Sequence, residues 1–249
     1  MGEELVHAHN EAGVTTVTLD SPHNRNALSR QLVAELLAAL DAAETDPSVR
    51  VVVIAAAGPV FCSGADLSEA ADGGMVEGAR GLVALQRRIV ALPMPVVVRL
   101  HGPARAGGLG IVGAADVVVA ADTVTFAFTE VRLGLAPATI SLTTLPRMGD
   151  RAAALAYLSG EPFDATEAVR LGLVTRAVPP ADLDASVDAV VSSLLQGSPQ
   201  GLRETKALLA APLLERIDRS GDELAAQSAR LFASPEARAA MQEFLARRR

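Results

Sequence analysis

Aromatic residues make up only 3 % of this 249-residue chain, with no tryptophan and a single tyrosine, Tyr157. Single-stranded nucleic acid is held by stacking bases on aromatic rings, so the shortage excludes that function class. Positive charge is also scarce: Lys206 is the only lysine, 29 acidic residues face 22 basic ones, and the net charge is -7. Phosphate backbones are bound by clustered lysine and arginine, so no nucleic-acid partner is expected. The one cysteine, Cys62, leaves no internal disulfide and suits a reducing compartment. No stretch reaches the ~18 apolar residues of a membrane-spanning helix, and Met1-Gly2-Glu3-Glu4 does not open a basic-then-apolar leader. The expectation is a cytoplasmic protein with no membrane partner. Four histidines are scattered without ligand spacing beyond His7-x-His9, so neither a metal nor a redox cofactor is expected.

What is abundant is hydrophobic residues, half of the chain, enough to bury a large interior. Val14 to Leu19 alternates like a strand, Ser29 caps an apolar-periodic helix over Leu32–Ala43, and Val51 to Ile54 is a β-branched run fit for a strand covered on both faces. A helix over Arg80–Leu92 ends at Pro93 and leads into a strand at Val96–Leu100. Short strands follow at Val117–Ala120 and Thr125–Phe128. From about Arg151 the chain reads as helical, with one strand-like stretch at Leu173–Val178 and closing helices at Leu202–Ala210, Ile217–Phe232 and Pro235–Arg249. The pattern predicts an α/β core over residues 1–195 and a helical region over 196–249.

Gly108-x-Gly110-x-x-Gly113 has the spacing of a dinucleotide-binding fingerprint, but seven residues separate it from the strand at 96–100, too many for that motif. A different chemistry fits better. Two strand ends deliver small residues into tight turns, Ser63-Gly64-Ala65-Asp66 and Ala106-Gly107-Gly108. A backbone N–H aimed into a cleft from each would make a two-donor site for a developing oxyanion, and the second turn also opens a helix N-terminus.

The ordered segments Arg25-Asn26-Ala27-Leu28-Ser29, Phe61-Cys62-Ser63-Gly64-Ala65-Asp66-Leu67, Gly102 to Gly113, and Glu130-Val131-Arg132-Leu133-Gly134-Leu135 resemble the crotonase (enoyl-CoA hydratase/isomerase) family. The resemblance implies a spiral of strand-strand-helix turns, C-terminal helices used in a homotrimer or a dimer of trimers, and an acyl-CoA thioester as substrate, with no further cofactor. It places the oxyanion donors at Ala65 and Gly107. The adenine and pantetheine of coenzyme A would run along Asn26, Ala27, Leu28, Ser63, Asp66 and Leu67, with Arg25 and Arg247 or Arg248 near the phosphates, Lys206 as a weaker choice there, and Gly110 against the substrate.

The family's hydratases use two glutamates. The resemblance puts the first at Gly110, which has no side chain, and the second at Glu130. One carboxylate suffices to move a proton between two carbons, which is isomerase chemistry. Gly107-Gly108-x-Gly110 followed by Glu130-Val131-Arg132-Leu133-Gly134-Leu135-Ala136-Pro137-Ala138 nevertheless resembles a bacterial subgroup of the family in which glycine at that position accompanies hydratase activity. The expected function is therefore an enoyl-CoA hydratase-like enzyme with Glu130 as its single acid/base; a Δ3-Δ2-enoyl-CoA isomerase and a catalytically impaired acyl-CoA-binding homologue are the alternatives. Ala138, eight positions after Glu130, sets aside a dienoyl-CoA isomerase. Glu69 and Asp72 are possible second acids.

Overall fold

The computed structural model describes residues 3–66, 69 and 75–246, the side chains of 244 and 245 excepted. Its main sheet has six strands in the order β1 (Val6–Glu11), β2 (Val14–Leu19), β3 (Val51–Ala56), β4 (Val96–Leu100), β6 (Val117–Ala121), β9 (Arg176–Val178). The β1–β2 pair is antiparallel and all the others are parallel. Every residue of β3 is buried, as its unbroken β-branched run requires of a central parallel strand. The first strand has no sequence signal because only Val6 of its six residues is buried. It forms because Ala12 and Gly13, both at positive φ, fold it back onto β2.

A second, three-stranded sheet joins β5 (Ala104–Arg105), β7 (Thr125–Ala127) and β8 (Phe163–Asp164). Helices α1 (Arg30–Thr45), α2 (Met75–Ala91) and α3 (Gly107–Ala114) connect successive rounds of strands. Ser29 caps α1 by accepting from Leu32 N–H at 3.2 Å, and Leu32, Leu36, Leu40 and Ala43 bury one face of that helix. Two short helices, α4 (Ser141–Thr144) and α5 (Asp150–Ser159), precede α6 (Ala165–Leu171) and α7 (Leu183–Leu195).

The C-terminal part differs from the sequence reading. Residues Pro199–Phe232 form one 34-residue helix, α8, that runs through Pro212, where two helices are expected. Pro212 lies on the exposed side, while Lys206, Ala210, Leu213 and Ile217 bury the other side, which packs along α2. Packing of that face outweighs the backbone bond lost to proline. Helix α9 (Pro235–Ala246) follows and packs on the turn at 129–133.

Lys206 joins this helix to the core. Its ammonium is 2.8 Å from Asp116 Oδ2 and donates to the carbonyls of Met94 at 2.9 Å and Ile89 at 3.3 Å. The lysine is 4 % exposed, so it cannot reach a phosphate outside the protein, and its weak candidacy for that role is withdrawn. A lysine is tolerated in this apolar position because each available partner is an oxygen.

Candidate active site

Three chain segments run side by side in parallel register: Cys62 bridges Ala104, and Ala104 pairs with Phe126. Parallel neighbours leave a sheet at the same end. Three residues beyond Cys62 comes Ala65, three beyond Ala104 comes Gly107, and four beyond Phe126 comes Glu130. All three line a single cavity that encloses about 750 Å³, its mouth included.

At the first of these ends, Ala65 bridges Leu28: Leu28 N–H donates to Gly64 O at 2.8 Å and Asp66 N–H to Leu28 O at 3.4 Å. Successive amides of an extended chain alternate in direction, so the N–H of Ala65 points away from Leu28. Among the described residues it meets no acceptor. Gly64 sits at φ +102°, and a Cβ there would lie 2.7 Å from Ala106 Cβ and 3.5 Å from the nitrogen of Gly107, which shows how closely the two turns approach.

At the second end, Ala106 holds φ 45° and ψ -120°, a conformation costly for any residue with a side chain, and Gly107 begins α3. The N–H of Gly107 belongs to the first turn, which has no partner within the helix. A Cβ at Gly107 would stand 2.7 Å from Leu28 Cδ1, so a larger residue here would push the Leu28 side chain aside. Two neighbouring glycines serve packing too: a Cβ at Gly108 would lie 2.9 Å from Cys62 O, and one at Gly113 2.9 Å from the Thr143 backbone. The fingerprint spacing is thus explained by helix contacts, with no pyrophosphate needed.

Glu130 lies in a 3-10 turn, Thr129–Leu133, closed by Gly134 at φ +69°. Leu135 N–H donates to Glu130 O at 3.0 Å and fixes the loop. Behind it, the Phe128 ring packs on Tyr157 at 4.2 Å, and Tyr157 Oη meets Thr144 Oγ1 at 2.5 Å. Oε2 of Glu130 is buried and has no hydrogen-bond partner among the described residues. Burial pushes the carboxyl up to about 7, against a smaller opposing contribution from a hydrogen bond to its own backbone. An acid near 7 can both take and return a proton at neutral pH.

The rest of the cavity wall comes from Leu28 and Val33, from Met75, Gly78, Ala79 and Leu82 along one stripe of α2, from Ala136 to Ile140, and from Ser228 and Phe232 near the end of α8. The α2 stripe is legible as a period of three to four residues, though not as a stripe facing a cavity. Nothing local marks Ser228 and Phe232, which arrive from a helix that starts some thirty residues earlier.

The other sequence-predicted residues are divided between the cavity wall and the rest of the molecule. Leu28 and Asp66 are on the wall, and Asp66 accepts from Asn24 Nδ2 at 3.2 Å. Arg25, Asn26, Ala27 and Ser63 are not on it. Asn26 is fully buried and uses its side chain internally, accepting from Ser21 N–H at 2.7 Å and donating to Ala57 O at 2.9 Å and Val60 O at 2.8 Å. Arg25 is exposed at φ 60°, and its carbonyl accepts from Ser63 N–H at 3.1 Å. Leu67, Asp72, Arg247 and Arg248 lie outside the described residues.

Gly110 is also off the wall. A Cβ there would lie 3.0 Å from Gln86 Cδ and 3.2 Å from Ile140 Cγ2. Gln86 is fully buried; it donates to Leu82 O and Thr139 O, each at 3.2 Å, and accepts from Thr143 Oγ1 at 2.7 Å. The space into which a carboxylate at 110 would grow is therefore filled by a buried, hydrogen-bonded amide. Cys62 is buried, and desolvation pushes its thiol up to about 12, which leaves no nucleophile there.

A family model described as enoyl-CoA hydratase/isomerase matches residues 9–249. The fold superposes with TM-score 0.92 on the crystal structure of an enoyl-CoA hydratase from Mycobacterium avium, at 49% identity over 99% of this chain and 98% of that one. Enoyl-CoA isomerase/hydratase fer4 of Mycosarcoma maydis is 32% identical over 80% of this chain and 77% of its own length. Enoyl-CoA delta isomerase 2 of Rattus norvegicus is 31% identical over 86% of this chain and 56% of its own. Hydratase and isomerase names thus both occur among these relatives, and the chain belongs to the enoyl-CoA hydratase/isomerase family.

Proposed function

We propose that this protein is an enoyl-CoA hydratase-like enzyme that acts on an unsaturated acyl-CoA. The backbone N–H groups of Ala65 and Gly107 hold the thioester oxygen, and Glu130 is the single acid/base. The observation that carries the proposal is the buried, unpartnered Oε2 of Glu130 on the cavity lined by both turns. In the hydration direction, Glu130 takes a proton from water as the water oxygen bonds to C3. The C2=C3 electron pair moves toward the thioester oxygen, and Glu130 then returns its proton to C2. Each donor to the enolate oxygen contributes roughly 3 to 4 kcal/mol to the transition state. The steps need only the thioester and water.

Isomerisation is the second reading, favoured by the closed space beside Gly110. There Glu130 removes a C2 proton from a 3-enoyl-CoA and returns it to C4. Mixing the protein separately with a 2-enoyl-CoA and a 3-enoyl-CoA and following the conjugated-enoyl absorbance separates the two: hydration consumes the chromophore and isomerisation creates it. Activity of Glu130→Gln equal to that of the parent would remove the role given to Glu130. For the molecule as a whole we propose a homotrimer or a pair of trimers, assembled through leucines left exposed on α5 and α8.

A further inference from the structure

The charged side chains on the cavity wall are Asp66, Glu69 and Glu130, and among the described residues no lysine, arginine or histidine lines it. Residues 67–74, Leu-Ser-Glu-Ala-Ala-Asp-Gly-Gly, carry no lysine or arginine in sequence. The remaining wall is largely aliphatic: Leu28, Val33, Met75, Leu82, Ile140 and Phe232. Glu69 is held in place. Its Oε2 accepts from Arg30 N–H at 3.1 Å, at the start of α1, and lies 3.4 Å from Arg30 Nε. The Arg30 side chain is 61% exposed and off the wall, so it fixes the carboxylate from outside without giving the cavity a positive group.

A carboxylate brought into this space by a substrate would lose its hydration beside acidic groups and find no cation among the described wall residues in return, a cost that rises steeply at reduced dielectric. An uncharged alkyl group packs on the aliphatic part of the wall and brings no charge of its own to desolvate. We propose that Glu69, with Asp66, is a specificity-determining residue that makes the enzyme accept acyl-CoA thioesters with uncharged aliphatic acyl groups and refuse those ending in a free carboxylate. Negative charge here acts by repelling the wrong substrate.

This inference rests on the acyl-CoA reading and is tested without turnover. Calorimetric titration with two saturated thioesters of equal chain length, hexanoyl-CoA and its ω-carboxyl counterpart adipoyl-CoA, reads the discrimination directly. Hexanoyl-CoA is expected to bind tighter by roughly tenfold or more, the scale set by one unpaired carboxylate against partly screened acidic neighbours. In Glu69→Gln, which keeps an oxygen for Arg30 N–H, the ratio is expected to shrink severalfold because adipoyl-CoA binds better, with hexanoyl-CoA little changed. Equal or tighter binding of adipoyl-CoA by the parent would overturn the proposal, as would a ratio unmoved by Glu69→Gln. No binding of hexanoyl-CoA would instead overturn the acyl-CoA reading itself, and this inference with it.

Discussion

Glu130 combines a buried oxygen without a partner and a carboxyl pushed up to about 7. Both features cost stability. The folded protein binds this proton more tightly than the unfolded chain, whose carboxyl titrates near 4.5, so stability is fully retained below that value and declines as pH rises toward 7. Glu130→Gln is expected to melt close to the parent at pH 5 and above it at pH 8, by roughly 1 to 3 kcal/mol. Scanning calorimetry at the two pH values checks this. The same substitution should lower turnover by about 10² to 10⁴-fold, and the parent's rate should rise through pH 7 as the carboxylate forms. At the neighbouring position, Gly110→Glu is expected to add no hydratase activity and to destabilise by about 1 to 3 kcal/mol through overpacking against Gln86, measured by urea unfolding.

At the scale of elements, much of the site was legible because strand ends and small residues are local signals. Val51–Ile54 and Val96–Leu100 announce strands, and Ser63-Gly64-Ala65 and Ala106-Gly107 announce the turns after them. What was not legible depends on the register between strands. Nothing in the sequence alone states that Cys62, Ala104 and Phe126 sit abreast, and that alignment is what brings residues 65, 107 and 130 to one cavity. Gly110 shows the opposite limit: its missing side chain could be seen, but Gln86 in its place could not. Helix α8 shows a third, since Pro212 reads as a break until the packing of its flanks on α2 is known. The docking of α8 through Lys206 can be tested. Lys206→Met leaves Asp116 without its cation and is expected to cost about 3 to 5 kcal/mol in urea unfolding, and pairing it with Asp116→Asn should recover much of the loss.

For the whole molecule, Leu155 and Leu158 on α5 are 70% and 76% exposed, and Leu208 and Leu209 on α8 are 78% and 73% exposed. Large aliphatic groups left in water at four positions favour self-association. Sedimentation should give a mass that is a multiple of the 25.7 kDa chain, and Leu208→Arg with Leu209→Arg should lower it. The single lysine has a consequence for handling the protein. In the native fold no side-chain amine is open to an acylating reagent, because Lys206 is sealed under α8 against Asp116. Amine-reactive labels should therefore leave the folded chain untouched at every side chain, and the rate at which Lys206 becomes tagged would time the lifting of the long helix from the core.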